Sequence, residues 1–117
     1  MKKVLVIEND SDLLDMVDYI LVGCGLKVLT STKKLAIAEI IDLKPNLVIL
    51  DHLLDDGFGA DTCRELKANE ATKNIPVIMI SAHTGLDKIA GDCNADAWIS
   101  KPFDINYFER KVEEMIS

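Results

Sequence analysis

Four short apolar runs in this chain each end in a side chain that can do chemistry. "KVLVI" (3–7) is followed by Glu8, Asn9 and Asp10, and "NLVIL" (46–50) by Asp51. "PVIMIS" (76–81) ends in Ser81, and "AWIS" (97–100) is followed by Lys101 and Pro102. Singly these residues mean little: an aspartate after a strand is more often a solvated turn former, and a lone lysine a surface charge. Together, two acids, a hydroxyl and an ammonium at the ends of four runs suit phosphoryl transfer to a carboxylate. In that reading Asp51 is the nucleophile and becomes an aspartyl phosphate. Glu8, Asn9 and Asp51 offer hard oxygens of the kind Mg²⁺ takes while keeping several waters. The cation and Lys101 would neutralise charge on the transferring group, and the Ser81 hydroxyl would donate a hydrogen bond to one of its oxygens.

Those side chains meet only if the runs are neighbouring strands. Between them lie amphipathic segments. "SDLLDMVDYILV" (11–22) carries Leu13, Leu14, Val17, Ile20 and Leu21 on one helical face, with Asp10 or Ser11 as its cap and Gly23 and Gly25 at its end. "LKVLT" (26–30) reads as a strand, "TKKLAIAEIIDLK" (32–44) as a helix stopped before Pro45, and "ADTCRELKANE" (60–70) as a third helix. Pro76 opens the fourth strand, where a missing N–H is tolerated. A short helix at 86–92 and a last one at 104–116, capped by Asp104, complete five βα units. Such alternation implies a parallel sheet with helices on both faces. Ligands of open α/β sheets collect at the carboxyl ends of the strands, which is where the four polar positions fall.

Bulk properties narrow the class. A chain of 117 residues that is 49% hydrophobic suits one compact domain with a real core. A formal charge of −7 argues against a nucleic-acid-binding face, which needs clustered Lys and Arg. Cys24, Cys63 and Cys93 are an odd set without a CxxC pair, so small buried thiols in a reducing cytoplasm are expected rather than a disulfide framework. The apolar run at the start meets Glu8 too early for a signal peptide, and no segment approaches membrane-spanning length.

The ordered set "KVLVIEND", "LVILD", "VIMISA" and "WISKPF" resembles the receiver domain of two-component response regulators over essentially the whole chain. "WISKPF" is its most specific piece. The resemblance implies a flavodoxin-like, doubly wound five-stranded sheet in the order 2-1-3-4-5 with five helices. It implies one receiver domain over 1–117 with no effector domain. It also implies a phosphorylatable switch that is not an enzyme beyond its own phosphorylation and dephosphorylation. Position by position, Asp51 is the phosphoacceptor, with Ser81 and Lys101 as its catalytic partners. Glu8, Asn9, Asp51 and the Leu53 backbone carbonyl hold Mg²⁺, or Mn²⁺ in its place. Ser81 and Trp98 form the switch, and Pro102 follows a cis peptide bond. The implied phosphodonor is a sensor histidine kinase or a histidine phosphotransfer domain, and the output partner is unspecified. A cytoplasmic monomer or weak dimer that touches neither nucleic acid nor membrane is expected.

The sequence also departs from the pattern. Asn9 stands where the family has an aspartate, which removes a charge and should weaken Mg²⁺ binding; Asp10 is near enough to compensate or simply to cap the helix. Asp55 replaces the usual proline in "DHLLDDGFG", where Gly57 and Gly59 still permit a tight turn. The 19 residues between Ser81 and Lys101 imply a shortened fourth helix or leading loop. Trp98 is bulkier than the family's Tyr or Phe. His52 and His83 read as loop residues, with His83 tuning water access and unsuited to a hard-oxygen metal site. Alongside the switch stand a degenerate receiver that docks without phosphorylation and a haloacid-dehalogenase-like phosphohydrolase. The latter would want an aspartate at position 53, which is Leu53. A flavin-binding module would want a Gly/Ser/Thr-rich phosphate loop where "ENDSD" stands.

Overall fold

The computed structural model describes residues 1–116; Ser117, the last residue of the expected domain, lies outside them. In chain order the elements are β1 (Lys3–Ile7), α1 (Ser11–Gly23), β2 (Lys27–Ser31), α2 (Ile37–Leu43), β3 (Leu47–Asp51), β4 (Leu53–Leu54), β5 (Gly57–Phe58), α3 (Gly59–Ala68), β6 (Val77–Ser81), α4 (Leu86–Asp92), β7 (Ala97–Ser100) and α5 (Ile105–Ile116). Five strands pair in parallel in the order β2-β1-β3-β6-β7. With β6 and β7 counted as the sheet's fourth and fifth strands, this is the expected 2-1-3-4-5 arrangement, and the fold is flavodoxin-like.

Alternation along each strand sends successive side chains to opposite faces and so makes two cores. Val4, Val6, Ile49, Ile78, Ile80 and Ile99 pack under α1 and α5, against Val17, Leu21, Phe108 and Val112. Leu5, Ile7, Val48, Leu50, Val77 and Met79 pack under the other three helices, against Ile40, Leu66 and Ala90. β3 and β6 are buried at every position, as central parallel strands covered on both faces must be. Cys63 and Cys93 are buried and free, as expected; Cys24 is only half-buried.

Local chemistry sets the element ends. Asp10, not Ser11, caps α1: its carboxylate accepts the backbone N–H groups of Asp12 and Leu13. Gly25 takes a left-handed φ of 81° in the turn into β2, which starts at Lys27 rather than Leu26. The largest departure is α2, which begins at Ile37 rather than Thr32. Ser31 exchanges hydrogen bonds with the backbone of Lys33, and the Lys34 N–H donates to the Asp56 carboxylate. These bonds hold residues 31–34 out of the helix. α4 has seven residues, short as the spacing implied.

The tightest backbone approach lies directly behind Asp51. The Gly59 N–H donates to the His52 carbonyl at 2.7 Å. A Cβ at position 59 would sit 2.1 Å from the Asp51 carbonyl oxygen. Only glycine lets α3 start this close to the end of β3. Gly59→Ala is therefore expected to lower stability by about 1–3 kcal/mol or more, a fall in melting temperature of roughly 5 °C or more. Thermal denaturation by circular dichroism checks it; an unchanged midpoint would refute this account of the glycine.

Candidate functional site

Parallel pairing fixes which residues share the carboxyl edge of the sheet. Ile7 pairs with Leu50, Asp51 with Ile80, and Ser81 with Ser100. Glu8, Asp51, Ser81 and Lys101 thus emerge from β1, β3, β6 and β7 at one level. Glu8, Asp51 and Ser81 are buried, at 0%, 3% and 1% exposure.

The centre of the site is the Lys101 ammonium. Its Nζ donates to Glu8 Oε1 at 3.1 Å, to Glu8 Oε2 at 3.0 Å and to Asp51 Oδ2 at 3.2 Å. Two buried carboxylates side by side repel each other and lose their hydration; one cation between them offsets both costs. Backbone N–H groups add to these contacts. Asp51 Oδ1 accepts the Leu53 N–H at 3.1 Å, and Glu8 Oε1 accepts the Asp10 N–H at 3.1 Å. The Ser81 hydroxyl oxygen accepts the His83 N–H at 3.1 Å, and the Lys101 N–H donates to the Ser81 carbonyl at 2.9 Å. The Lys101–Pro102 peptide bond is cis.

The donors present are hard oxygens of Glu8 and Asp51, the Asn9 amide and nearby backbone carbonyls. Among the described residues no three His, Cys, Asp or Glu side chains gather as a metal cluster. Two carboxylates with neutral oxygens nonetheless fit a cation that retains most of its water, as Mg²⁺ does. Asp10 uses one carboxylate oxygen, Oδ1, on the α1 cap.

Three features were not legible in the sequence. The Asn9 Nδ2 donates to Asp55 Oδ1 at 2.9 Å, bringing a further carboxylate to the pocket's mouth. Asp55 lies in the turn of a two-residue hairpin, Leu53 opposite Phe58 and Leu54 opposite Gly57. In sequence it registers only as an absent proline. His52 lies in the loop between β3 and β4, as expected, but its side chain is not open to solvent. It is buried, stacks on Phe58 at 5.3 Å and meets His83 edge-on at 5.7 Å. Burial and the neighbouring His83 hold its imidazole below the ordinary range. Trp98, the expected switch residue, points outward from β7 and is 47% exposed.

An open α/β sheet whose carboxyl edge carries a glutamate, an aspartate, a hydroxyl and a lysine is the arrangement that the sequence motifs led one to expect of a signalling domain. Comparison with known proteins agrees: the family model described as the response regulator receiver domain matches residues 4–113. The chain belongs to the response regulator receiver domain family, signalling domains of two-component systems.

Among curated relatives it is 33% identical, over 99% of its length, to the DNA-binding dual master transcriptional regulator RpaA of Synechocystis, of which the match covers 49%. It is 35% identical, over 87% of its length, to the phosphate regulon transcriptional regulatory protein PhoB of Pseudomonas aeruginosa, of which 46% is covered. The chain therefore spans about half the length of these two relatives. Against Protein PilG of the same organism it is 35% identical over 86% of the chain and 77% of the relative. The chemotaxis protein CheY4 of Vibrio cholerae shares the fold, with a TM-score of 0.86 at 20% identity and 98% of both chains covered. So does the receiver domain of a Pseudomonas aeruginosa sensor histidine kinase, solved with magnesium coordinated in its active-site cleft. Its TM-score is 0.84 at 17% identity, with 98% of this chain and 97% of that one covered. No helix among the described residues is long and apolar enough to cross a membrane.

The pocket's electrostatics yield a pH signature. Burial raises the Glu8 carboxyl to about 7, with Asp51 adding to the rise and Lys101 partly opposing it. In the unfolded chain the same group titrates at its ordinary value near 4.5. Between those values the folded state binds more protons, so metal-free protein should lose stability as pH climbs from about 4.5 through 7. Glu8→Gln should flatten that fall. Melting temperatures of both metal-free proteins across this range provide the check, and parallel profiles would count against the shift.

Proposed function

We propose that this chain is a phosphorylatable signalling switch. Asp51 accepts a phosphoryl group from a phosphohistidine of a sensor histidine kinase or phosphotransfer domain. The observation that carries this reading is the buried Asp51 carboxylate held against Lys101 at the open edge of the sheet, with Glu8 on the same ammonium.

In the transfer, a carboxylate oxygen of Asp51 forms a bond to phosphorus as the donor's P–N bond breaks. The electron pair leaves with the imidazole nitrogen. The product is an acyl phosphate, which water later cleaves to restore the carboxylate. The Leu53 N–H fixes the rotamer of Asp51. Lys101 offsets charge on the transferring oxygens, which it can do only by loosening its contacts to the carboxylates. The Ser81 hydroxyl accepts from a backbone N–H, so its own proton is left to donate to a phosphoryl oxygen. Glu8, Asn9, Asp51 and the Leu53 carbonyl would hold Mg²⁺, or Mn²⁺ in its place. When bound, the ion supplies charge neutralisation on the phosphoryl group. Beside Lys101, an apolar groove lined by Leu13, Met16, Ala82, Pro102 and Phe103 suits the docking of a phosphodonor helix.

The switch would act through Ser81 and the face that carries Trp98. An exposed indole flanked by Tyr107 and Lys111 gives a partner something to read whether or not it turns inward. With its acidic balance, the domain itself is not expected to contact nucleic acid. The neutral Asn9 is what favours the second reading, a receiver that docks without phosphorylation.

Intact mass after incubation with Mg²⁺ and acetyl phosphate separates the two. The wild type should gain one hydroxylamine-labile phosphoryl group, and Asp51→Asn none. A wild type that binds Mg²⁺ but gains no mass favours the docking module. Beryllofluoride with Mg²⁺ should also change the emission of Trp98, the sole tryptophan, in wild type but not in Asp51→Asn. Flat emission with the mimic bound would remove Trp98 from the coupling.

A further inference from the structure

We propose that Asp55 supplies the negative charge that Asn9 lacks, with Asn9 acting as the positioning residue that holds it at the cation site. The inference rests on the divalent-cation reading above and names a residue that this reading does not include.

The argument begins with charge. Glu8 and Asp51 share the Lys101 ammonium, so with both carboxylates ionised, the state that a bound cation favours, the three groups leave one net negative charge. An aspartate at position 9 would make it two. Asn9 cannot, but it binds a residue that does. A carboxylate only accepts hydrogen bonds, so the Asn9 atom facing Asp55 at 2.9 Å is the amide N–H, which leaves its oxygen for the cation or a water. A neutral amide orients Asp55 without cancelling its charge. The pocket's balance then returns to two negative charges, one of them carried on a different element.

The hairpin turn is built to present this side chain. Its base is anchored where the Leu53 N–H meets Asp51 Oδ1, and its second strand runs directly into α3. Its two adjacent acids are held in different places: Asp55 by Asn9, and Asp56 by the Lys34 N–H at 3.2 Å. A proline at position 55 would offer no such group. Because Glu8, Asp51 and Asp55 do not gather closely enough to ligate one ion together, Asp55 acts on the hydrated cation through its charge.

The test is a titration of Mg²⁺ alone, at low ionic strength, into the metal-free chain, followed by backbone amide shifts. Asp55→Asn keeps the acceptor oxygen for Asn9 and removes only the charge. It should weaken binding about threefold, the size expected for one charge acting on the ion across water, and the difference should shrink in high salt. Asp56→Asn, one residue along but turned to Lys34, should weaken it by less than half as much. The gain from Asn9→Asp should be larger in the Asp55→Asn background than in wild type, where the new carboxylate would face Asp55. Asp55→Asn matching wild type or Asp56→Asn, or an equal Asn9→Asp gain in both backgrounds, overturns the proposal while leaving the metal reading intact. A wild type that binds no Mg²⁺ overturns both.

Discussion

Everything at the working edge of this domain depends on one ammonium group. Glu8 and Asp51 are carboxylates with almost no exposed surface, and only the Lys101 cation makes their proximity tolerable. Taking a single carboxylate out of water costs several kcal/mol even after relaxation, on the order of what keeps a domain folded. Lys101 arrives from the far end of the chain, at the close of the sheet's last strand. The pocket therefore exists only once β1, β3 and β7 have found their places. The ion pairs of the site and the pairing of the sheet's strands therefore require one another.

The same economy explains the backbone around Asp51. The strand must end, turn and begin a helix within eight residues, while its aspartate stays buried at the sheet edge. Gly59 permits this by letting α3 start against the Asp51 carbonyl. The short hairpin fills the space between, tied to Asp51 by the Leu53 N–H, to Asn9 through Asp55 and to Lys34 through Asp56. The end of β3 and two separate loops thus meet on one turn. A change in charge at Asp51 bears directly on this turn, because the Leu53 N–H is bonded to the Asp51 carboxylate.

The departures from the family pattern read differently once they are seen together. Asn9 and Asp55 look like two independent losses, one acid and one proline. In space they are partners. Trp98 looks like an oversized switch residue with no room to turn; in the fold it already lies on the outer surface beside Tyr107. His52, directly after Asp51, packs between Phe58 and His83 and is buried.

The sequence by itself determined the strands and most of the helices, because buried parallel strands demand unbroken apolar runs and the helices between them a 3.6-residue apolar period; the order of the strands came from the family resemblance. It also determined that Glu8, Asp51, Ser81 and Lys101 would share one edge, since side chains that end parallel strands must emerge at the same end. Where α2 begins was not legible, because Ser31 and Asp56 capture the backbone of residues 33–34 from outside any local helical signal. Nor was the need for glycine at 59, which is a clash with a carbonyl eight positions earlier. The pairing of Asn9 with Asp55, 46 residues apart, was decided by tertiary structure alone. Propensity and periodicity describe neighbours along the chain, whereas that hydrogen bond depends on two loops brought together by strands β1 and β3.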